Sequence, residues 1–358
     1  NTPVALMQGT NTVATTTTNA MGQYSFNGIY GGTYTVVANP TKPWGGGNSN
    51  DALTILKHSA GLDTLYGLYL EAGKVNSDPN VNASDALLVA RRFVNLITTF
   101  APVSDWVSDA NTVSIVTNGA TYTNNFNVLC RGDVNGSYVP AMKAAQTVEV
   151  INSGVQEVRS FQNIALPVSV SKDMMIGAIS LVLDYPEDAV EVEGVLLGAE
   201  NTSSLLYTDF DGVLRISWYG TQARQLRAGD ALITLQLRVK DLNYVMTDEI
   251  EISSNEESVL GNANAETYTG VSLVVPKLTI ATGEYAINNY PNPFSETTQF
   301  EYSLPQSGKV TLKVYNMLGE VVATLVSNQV QEAGTYKVEY RANNLTPGTY
   351  TYRFEVTN

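Results

Sequence analysis

The chain has 358 residues, of which 44% are hydrophobic and only 15% charged, with a formal net charge of -14. That length allows two to four domains, and the acidity excludes nucleic acid and anionic membrane surfaces, partners that reward lysine and arginine. A single cysteine and a single histidine exclude an internal disulfide and a histidine cluster; with His58 on an expected helix and Cys130 in an apolar run, no Ser-His-Asp set or Cys-His pair is expected either, so the chain reads as no enzyme.

Asn1 opens no signal peptide and no apolar run is long enough to insert in a membrane, so the start is expected to be a processed terminus or a cut within a longer protein. Residues 1–39 alternate apolar and polar over Val4–Met7, Thr12–Thr16, Tyr24–Phe26 and Thr33–Val37, between Gly22-Gln23 and Gly31-Gly32. These are strands and tight turns. The string VATTTTNAMGQYSFNGIYGGTYTVV is similar to transthyretin-like or carboxypeptidase-regulatory-like modules, with an opening strand missing, so 1–39 is expected to be a partial sandwich.

The composition changes at Pro40–Gly47, and 40–140 carries an internal repeat. Asn48-Ser49-Asn50-Asp51 and Asn82-Ala83-Ser84-Asp85 each place Asp three residues after Asn, ahead of an apolar pattern of helical period. Asn50 or Ser84 is the expected helix cap, with the Asp at the positive helix end. Asn76, Asp78, Asn80 and Asn82 set oxygen side chains at every second position before the second helix. Closely spaced oxygens of this kind suit calcium.

The segment resembles a dockerin repeat, DxNxDGxxNxxD before a helix. Residue by residue, Asn76, Asp78, Asn82 and Asp85 keep ligand types, while Lys74 stands where the first Asp belongs. In the same register the first copy keeps only Asn48 and Asp51. Gly132–Pro140 holds the complementary opening half, Asp133, Asn135 and Ser137. One calcium site assembled from both segments is therefore expected, against an Asx-type turn at DVNGS as the alternative.

Tyr66–Leu70, Val113–Val116 and Asn125–Leu129 read as short strands or turns around the helices. Trp106, His58 and Cys130 read as core or structural positions, and Arg91-Arg92 as a solvated helix face.

From Thr147 strand periodicity returns, through Val148–Val150, Ala165–Val170, Gly177–Tyr185, Val190–Val195, Asp211–Trp218 and Leu232–Val239. Ala263–Val275 is the expected last strand and Pro276–Tyr285 a linker. ISLVLDYPEDAVEVEGV, GVLRISWYG and AGDALITLQLRVKD are similar to cohesin-like modules, which implies a sandwich over 141–275. Trp218 and Tyr219 are candidates for stacking on a glycan. Asp184, Asp188, Asp209 and Asp211, the acids best placed for glycoside hydrolysis, sit where turns already account for them.

The last segment, 276–358, repeats short alternating runs after Tyr290-Pro291-Asn292-Pro293-Phe294, with turns at Gly308, Gly319, Gly334 and Gly348 and a strand from Tyr350. YPNPF, SLPQSG, LKVYNMLGEVVATL, EAGTYKVEY and LTPGTYTYRFE look like the type A C-terminal sorting domain of Bacteroidetes type IX cargo. The resemblance implies export through the type IX translocon to the cell surface or medium, with a surface sortase as second partner. The expected fold class is thus mainly β: tandem immunoglobulin-like β-sandwiches with a small α-helical, dockerin-like calcium module. The expected role is a non-catalytic, calcium-stabilised surface region with cohesin/dockerin-type or self-association. Alternatives are a subunit of a self-assembling filament or matrix, or a carbohydrate-binding tail of a larger hydrolase.

Overall fold

The computed structural model describes residues 2–109, 111–116, 119–138, 147–240, 249–281, 285–342 and 345–357; Asn1, Val139, Pro140 and 282–284 of the expected linker lie outside them. The chain is mainly β, as its alternation implies. Strands β1 (Pro3–Gln8), β2 (Asn11–Thr17) and β3 (Gly32–Ala38) form an antiparallel sheet. Helices α1 (Ser49–Ser59), α2 (Gly67–Gly73) and α3 (Ala83–Phe93) and strand β4 (Trp106–Ser108) follow before β5 (Asn111–Ile115) returns to pair with β3, giving the order β2-β1-β3-β5. The first module is therefore completed from inside the 40–140 segment. Tyr24 and Phe26 form no strand. Their rings meet edge-on, and Tyr24 also meets Phe126, over a core of Val4, Leu6, Tyr34 and Val36.

The helical unit is built on Ala52, Ile55, Ala72, Val75, Ala86, Val89, Ala90, Phe100 and Val134, positions that recur at helical spacing in α1 and α3. Strand β6 (Val128–Cys130) pairs with β4 beside it. The caps are Asn48 and Asn82, not Asn50 and Ser84. Each cap side chain takes the N–H two residues on, and Asp51 and Asp85 reach back to the cap N–H, closing two capping boxes. Tyr66–Leu70 contributes to helix α2, seven residues too short to show a helical period. Arg92 does not face solvent. It is buried, forks onto Asp105 at 2.6 and 3.0 Å, and lies 4.2 Å from the Trp44 ring centre and 4.5 Å from that of Phe100, a paired and stacked burial that guanidinium tolerates.

The large sandwich holds the largest core. One sheet contains β7 (Val148–Val158), β8 (Asn163–Val170), β10 (Val190–Leu197), β13 (Ala231–Val239), β14 (Glu249–Ile250) and β17 (Val271–Ile280); the other contains β9 (Met174–Asp184), β11 (Leu206–Phe210), β12 (Val213–Leu226), β15 (Ser253–Ser254) and β16 (Val259–Gly261). Pairing is antiparallel except β7 with β17. The last strand runs five residues past Val275 into the expected linker. Pro276 falls where the β7–β17 register shifts, a bulge at which its missing N–H interrupts no ladder bond.

The C-terminal sandwich faces two three-stranded sheets. They are β18 (Ala286–Tyr290), β19 (Thr297–Leu304) and β22 (Gly334–Arg341), against β20 (Gly308–Tyr315), β21 (Val321–Gln331) and β23 (Thr351–Thr357). Phe300, Tyr302, Leu304, Val310, Leu312, Val314 and Val326 fill the space between. It leans on the large sandwich through Asn288 Nδ2, which donates to Phe161 O at 2.6 Å, and through Arg238, which pairs with Glu301 at 3.5 Å.

Candidate functional site

The chain brings the two half-loops together. Asp51, three residues into the α1 box, is fully buried, and its Oδ1 accepts N–H groups from Val134 at 2.9 Å and Asn135 at 3.2 Å, while Oδ2 accepts from Asn48 at 3.1 Å. Asp133 is also buried: Oδ1 accepts from Ser137 N at 3.0 Å and Oδ2 from Tyr138 N at 3.0 Å. Asn135 Oδ1 takes the Ser137 N–H at 2.9 Å. Gly46 crosses directly over the Asp133 carboxylate, where an added Cβ would stand 2.7 Å from Oδ2.

Burial pushes the Asp51 carboxyl well above its ordinary value, and the neighbouring Asp133 charge adds to this, against three N–H groups that favour the anion. Burial raises Asp133 as well. Two buried carboxylates in neighbouring turns, one raising the other, favour either a proton or a cation.

The second loop is contiguous. Asn76 Oδ1 accepts from Asp78 N at 2.6 Å, Asp78 Oδ2 accepts from Asn82 Nδ2 at 3.1 Å, and Asp85 accepts from Val75 N at 3.1 Å and Asn82 N at 2.9 Å. Val75 thus meets Asp85 as Val134 meets Asp51. Lys74, in the position Asp133 fills in the other loop, pairs with Glu71. Asp85 is raised by burial, with Asp78 adding a smaller push. Among the described residues no group of three His, Cys, Asp or Glu converges; the first loop offers carboxylate, amide and hydroxyl oxygens from Asp51, Asp133, Asn135 and Ser137, and the second carboxylate and amide oxygens from Asn76, Asp78, Asn82 and Asp85. That hard-oxygen set fits calcium better than a transition metal.

Helix α1 is seated by its first turn on the β9–β12 sheet. Ser49 N donates to Ser180 Oγ at 2.8 Å, Ser49 Oγ donates to Ile179 O at 2.6 Å, and Ser49 Oγ lies 2.8 Å from Ser217 Oγ. Asn50 Nδ2 donates to Thr267 Oγ1 at 3.0 Å. Gly177 and Gly261 make the seat: a Cβ would come 2.9 Å from Leu53 Cδ2 at the first and 2.1 Å from Asn50 Oδ1 at the second. Arg215 reaches Phe93 O at 3.4 Å, and Phe93, Val94 and Val182 form a small second core. The sequence assigns these residues to a helix start and to strands and gives no sign that the two meet. The available signal was GAISLVLD, where a near-unbroken buried run on β9 means that both faces are covered.

Trp218 lies in the sandwich core and Tyr219 packs toward the helical unit, so neither presents a ring for sugar stacking. Cys130 is buried, its thiol pushed up to about 12 chiefly by burial, which suits a structural residue. His58 accepts the Leu65 N–H on Nδ1.

The expected sorting residues are spread over the tail. Tyr290 is exposed beneath Arg238, whose guanidinium carbon lies 5.3 Å from the ring centre, and the Tyr290–Pro291 and Asn292–Pro293 bonds are cis. Phe294 meets Tyr340 edge-on at 6.4 Å and the Tyr350 hydroxyl donates to Thr346 O at 2.9 Å. Gly319 turns with φ 80° and Gly334 with φ 148°, and Gly348 lies in the exposed turn before Tyr350.

Residues 288–358 match the family described as the secretion system C-terminal sorting domain. The tail thus agrees with a type IX export signal, and it implies secretion to the cell surface or extracellular space. No curated protein matches the chain. Solved structures similar to part of it include a non-cellulosomal cohesin from Archaeoglobus fulgidus (19% identity, 39% of this chain, 94% of that one, TM-score 0.30). Another is CaCohA2 from Clostridium acetobutylicum (13%, 39%, 94%, 0.32). A third is a chain of a type I cohesin–dockerin complex from Clostridium thermocellum (18%, 37%, 99%, 0.30).

Proposed function

We propose that this is a non-catalytic surface region, exported by the type IX system, in which calcium stabilises a dockerin-like unit docked on the chain's own cohesin-like sandwich. The matched tail supports export, with the translocon and a surface sortase as its partners. One observation carries the calcium reading: Asp51 and Asp133, 82 positions apart in sequence, are both buried, and Asp51 Oδ1 takes the N–H groups of Val134 and Asn135, the two residues that follow Asp133. Asp133, Asn135, Ser137 and Asp51 would hold the ion, with Asn48 holding the helix start in register. Asn76, Asp78, Asn82 and Asp85 form the weaker second loop, because Lys74 takes the leading position. Calcium would supply the positive charge that the buried pair lacks.

The test is melting temperature and light scattering of the purified chain with calcium, then with excess chelator. Saturation to a hundredfold over Kd would add roughly 2.7 kcal/mol, so a fall of several degrees on chelation is expected. An unchanged melting temperature removes the calcium reading. A second reading, self-assembly, rests on β2, which among the described residues pairs only with β1 and so leaves one edge of its sheet open. It predicts calcium-dependent large particles, and a strict monomer at high concentration removes it.

A further inference from the structure

The split loop and the contiguous loop share one turn. Asn135 Oδ1 accepts the Ser137 N–H at 2.9 Å and Asn76 Oδ1 accepts the Asp78 N–H at 2.6 Å, so each carboxamide is folded back along the peptide that follows it. The intervening residue differs, Gly136 in the first and Ser77 in the second. Gly136 sits at φ 68°, and a Cβ built on it would meet only ordinary contacts, the closest 3.4 Å from Tyr69, so the backbone conformation and not space calls for glycine. Asn135 and Gly136 are exposed, while Asp133 and Val134 before them are buried. The sequence has two further Asn-Gly pairs: Asn27-Gly28, exposed in the first module, and Asn118-Gly119, of which Asn118 lies outside the described residues.

Asparagine before glycine can close a cyclic imide on its own backbone. The Gly136 nitrogen bonds to Asn135 Cγ, the Cγ–Nδ2 bond breaks, and ammonia leaves with the proton that Gly136 loses. Water then opens the imide at either carbonyl, giving aspartate, or isoaspartate with the main chain rerouted through Cγ. With no side chain on Gly136, nothing blocks the approach of its nitrogen. The Ser137 N–H holds the carboxamide in one orientation and donates to the oxygen on which negative charge develops. Asn76 has the same donor, from Asp78, but Ser77 carries a Cβ beside the attacking nitrogen.

We propose that Asn135 is a site of self-modification, where the empty split loop converts its own amide to aspartate and isoaspartate without an enzyme, and that a bound cation suppresses the reaction. The suppression rests on the calcium reading above; the reaction itself does not. An ion held by Asp51, Asp133 and the Asn135 oxygen pins the loop on both sides of the Asn135–Gly136 peptide, so Cγ cannot swing onto the nitrogen. Either product alters the loop. Aspartate adds a third carboxylate to Asp51 and Asp133, and isoaspartate lengthens the main chain by a methylene between the Val134 and Ser137 N–H groups that those two acids hold.

The experiment is peptide mass spectrometry of the full chain after incubation in warm, mildly alkaline buffer, with chelator, with calcium, and unfolded in guanidinium as the reference. In chelator, Asn135 is expected to convert at a rate comparable to that of the unfolded chain while Asn76 stays an amide. A Ser77→Gly variant should bring Asn76 to the rate of Asn135. Calcium at a hundredfold over Kd should slow Asn135 about a hundredfold and leave Asn27 unchanged. Asn135 intact in chelator, over a time that converts it in the unfolded chain, overturns the site and leaves the calcium reading standing. A Ser77→Gly chain whose Asn76 stays intact while Asn135 converts overturns the role given to the shared turn. Equal conversion of Asn135 with and without calcium overturns the suppression, and the melting-temperature test above then shows whether the calcium reading falls with it.

Discussion

Helices α1 and α3 begin alike and end up in different surroundings. Both are capped by Asn, both carry Asp at the third position, and both Asp side chains take a Val N–H from a loop. Yet Ser49, Asn50 and Asp51 are all buried, whereas Ala83 and Ser84 are exposed. The local sequence determines the helix start; the neighbour decides what that start is for. In α1 the capping turn is a joint between the split loop on one side and the sandwich on the other. In α3 it closes one contiguous loop and nothing more.

The strongest way to break this comparison is to truncate both acids. Asp51→Ala strands the N–H groups of Asn48, Val134 and Asn135 in a dry site, and should destabilise the calcium-loaded chain by about 3 kcal/mol or more. Asp85→Ala strands one buried N–H, that of Val75, and frees the part-buried N–H of Asn82, one group fewer than at Asp51, and should cost about 1–2 kcal/mol. Urea denaturation in calcium buffer measures both. Equal losses would mean that the seat on the sandwich adds nothing to the first site.

A smaller effect separates the joint from the loop. Ser49→Ala removes the hydroxyl shared by Ile179 O and Ser217 Oγ and leaves its own N–H on Ser180, so a loss of about 1–2 kcal/mol is expected. Ala83→Ser, the same position in the exposed copy, should stay within about 0.5 kcal/mol. Denaturation midpoints of the two variants decide this, and a neutral Ser49→Ala would show that the serine cluster carries no energy.

Much of this arrangement could be read from the chain. The strands of both large sandwiches followed from period-two runs, and α1 and α3 from the repeat. Even the meeting of the Asp133 loop with Asp51, through the Val134 and Asn135 N–H groups, followed from two incomplete motifs that complete each other. The caps were misplaced by two residues because apolar periodicity marks the helix body, while the reciprocal Asn–Asp bonds lie one turn earlier. Val113–Val116 was legible as a short strand or turn, but the pairing of β5 with β3 and the seat of α1 were not, since both depend on partners across long separations: Tyr34 with Val113, Ser49 with Ser180. Arg92 looked solvent-facing because nothing local announces Trp44, Phe100 and Asp105 around it.

The smallest effect is also the most diagnostic, because calcium reverses its sign. Without metal, Asp51 and Asp133 have folded-state carboxyls raised above the ordinary 3.8, by burial first, with the Asp133 charge adding to the rise at Asp51. The native chain then binds more protons than the unfolded one from about that pH upward. The stability contributed by the protonated pair is complete below the unfolded value and is lost as pH rises through the folded values. Glu301 acts the other way: burial alone would raise it, but Lys337 and Arg238 hold it below its ordinary value, so its contribution is lost on acidification. Urea midpoints in chelator should therefore fall as pH rises from about 4 toward 7, and Asp51→Asn should flatten that fall more than Asp85→Asn, because a second buried carboxylate, Asp133, adds to the rise only at Asp51. In calcium the ion needs the deprotonated pair, so the midpoint should rise over the same range. A fall that persists in calcium, or one that Asp85→Asn abolishes and Asp51→Asn does not, would place the cation in the contiguous loop and reduce the split loop to a hydrogen-bonded turn.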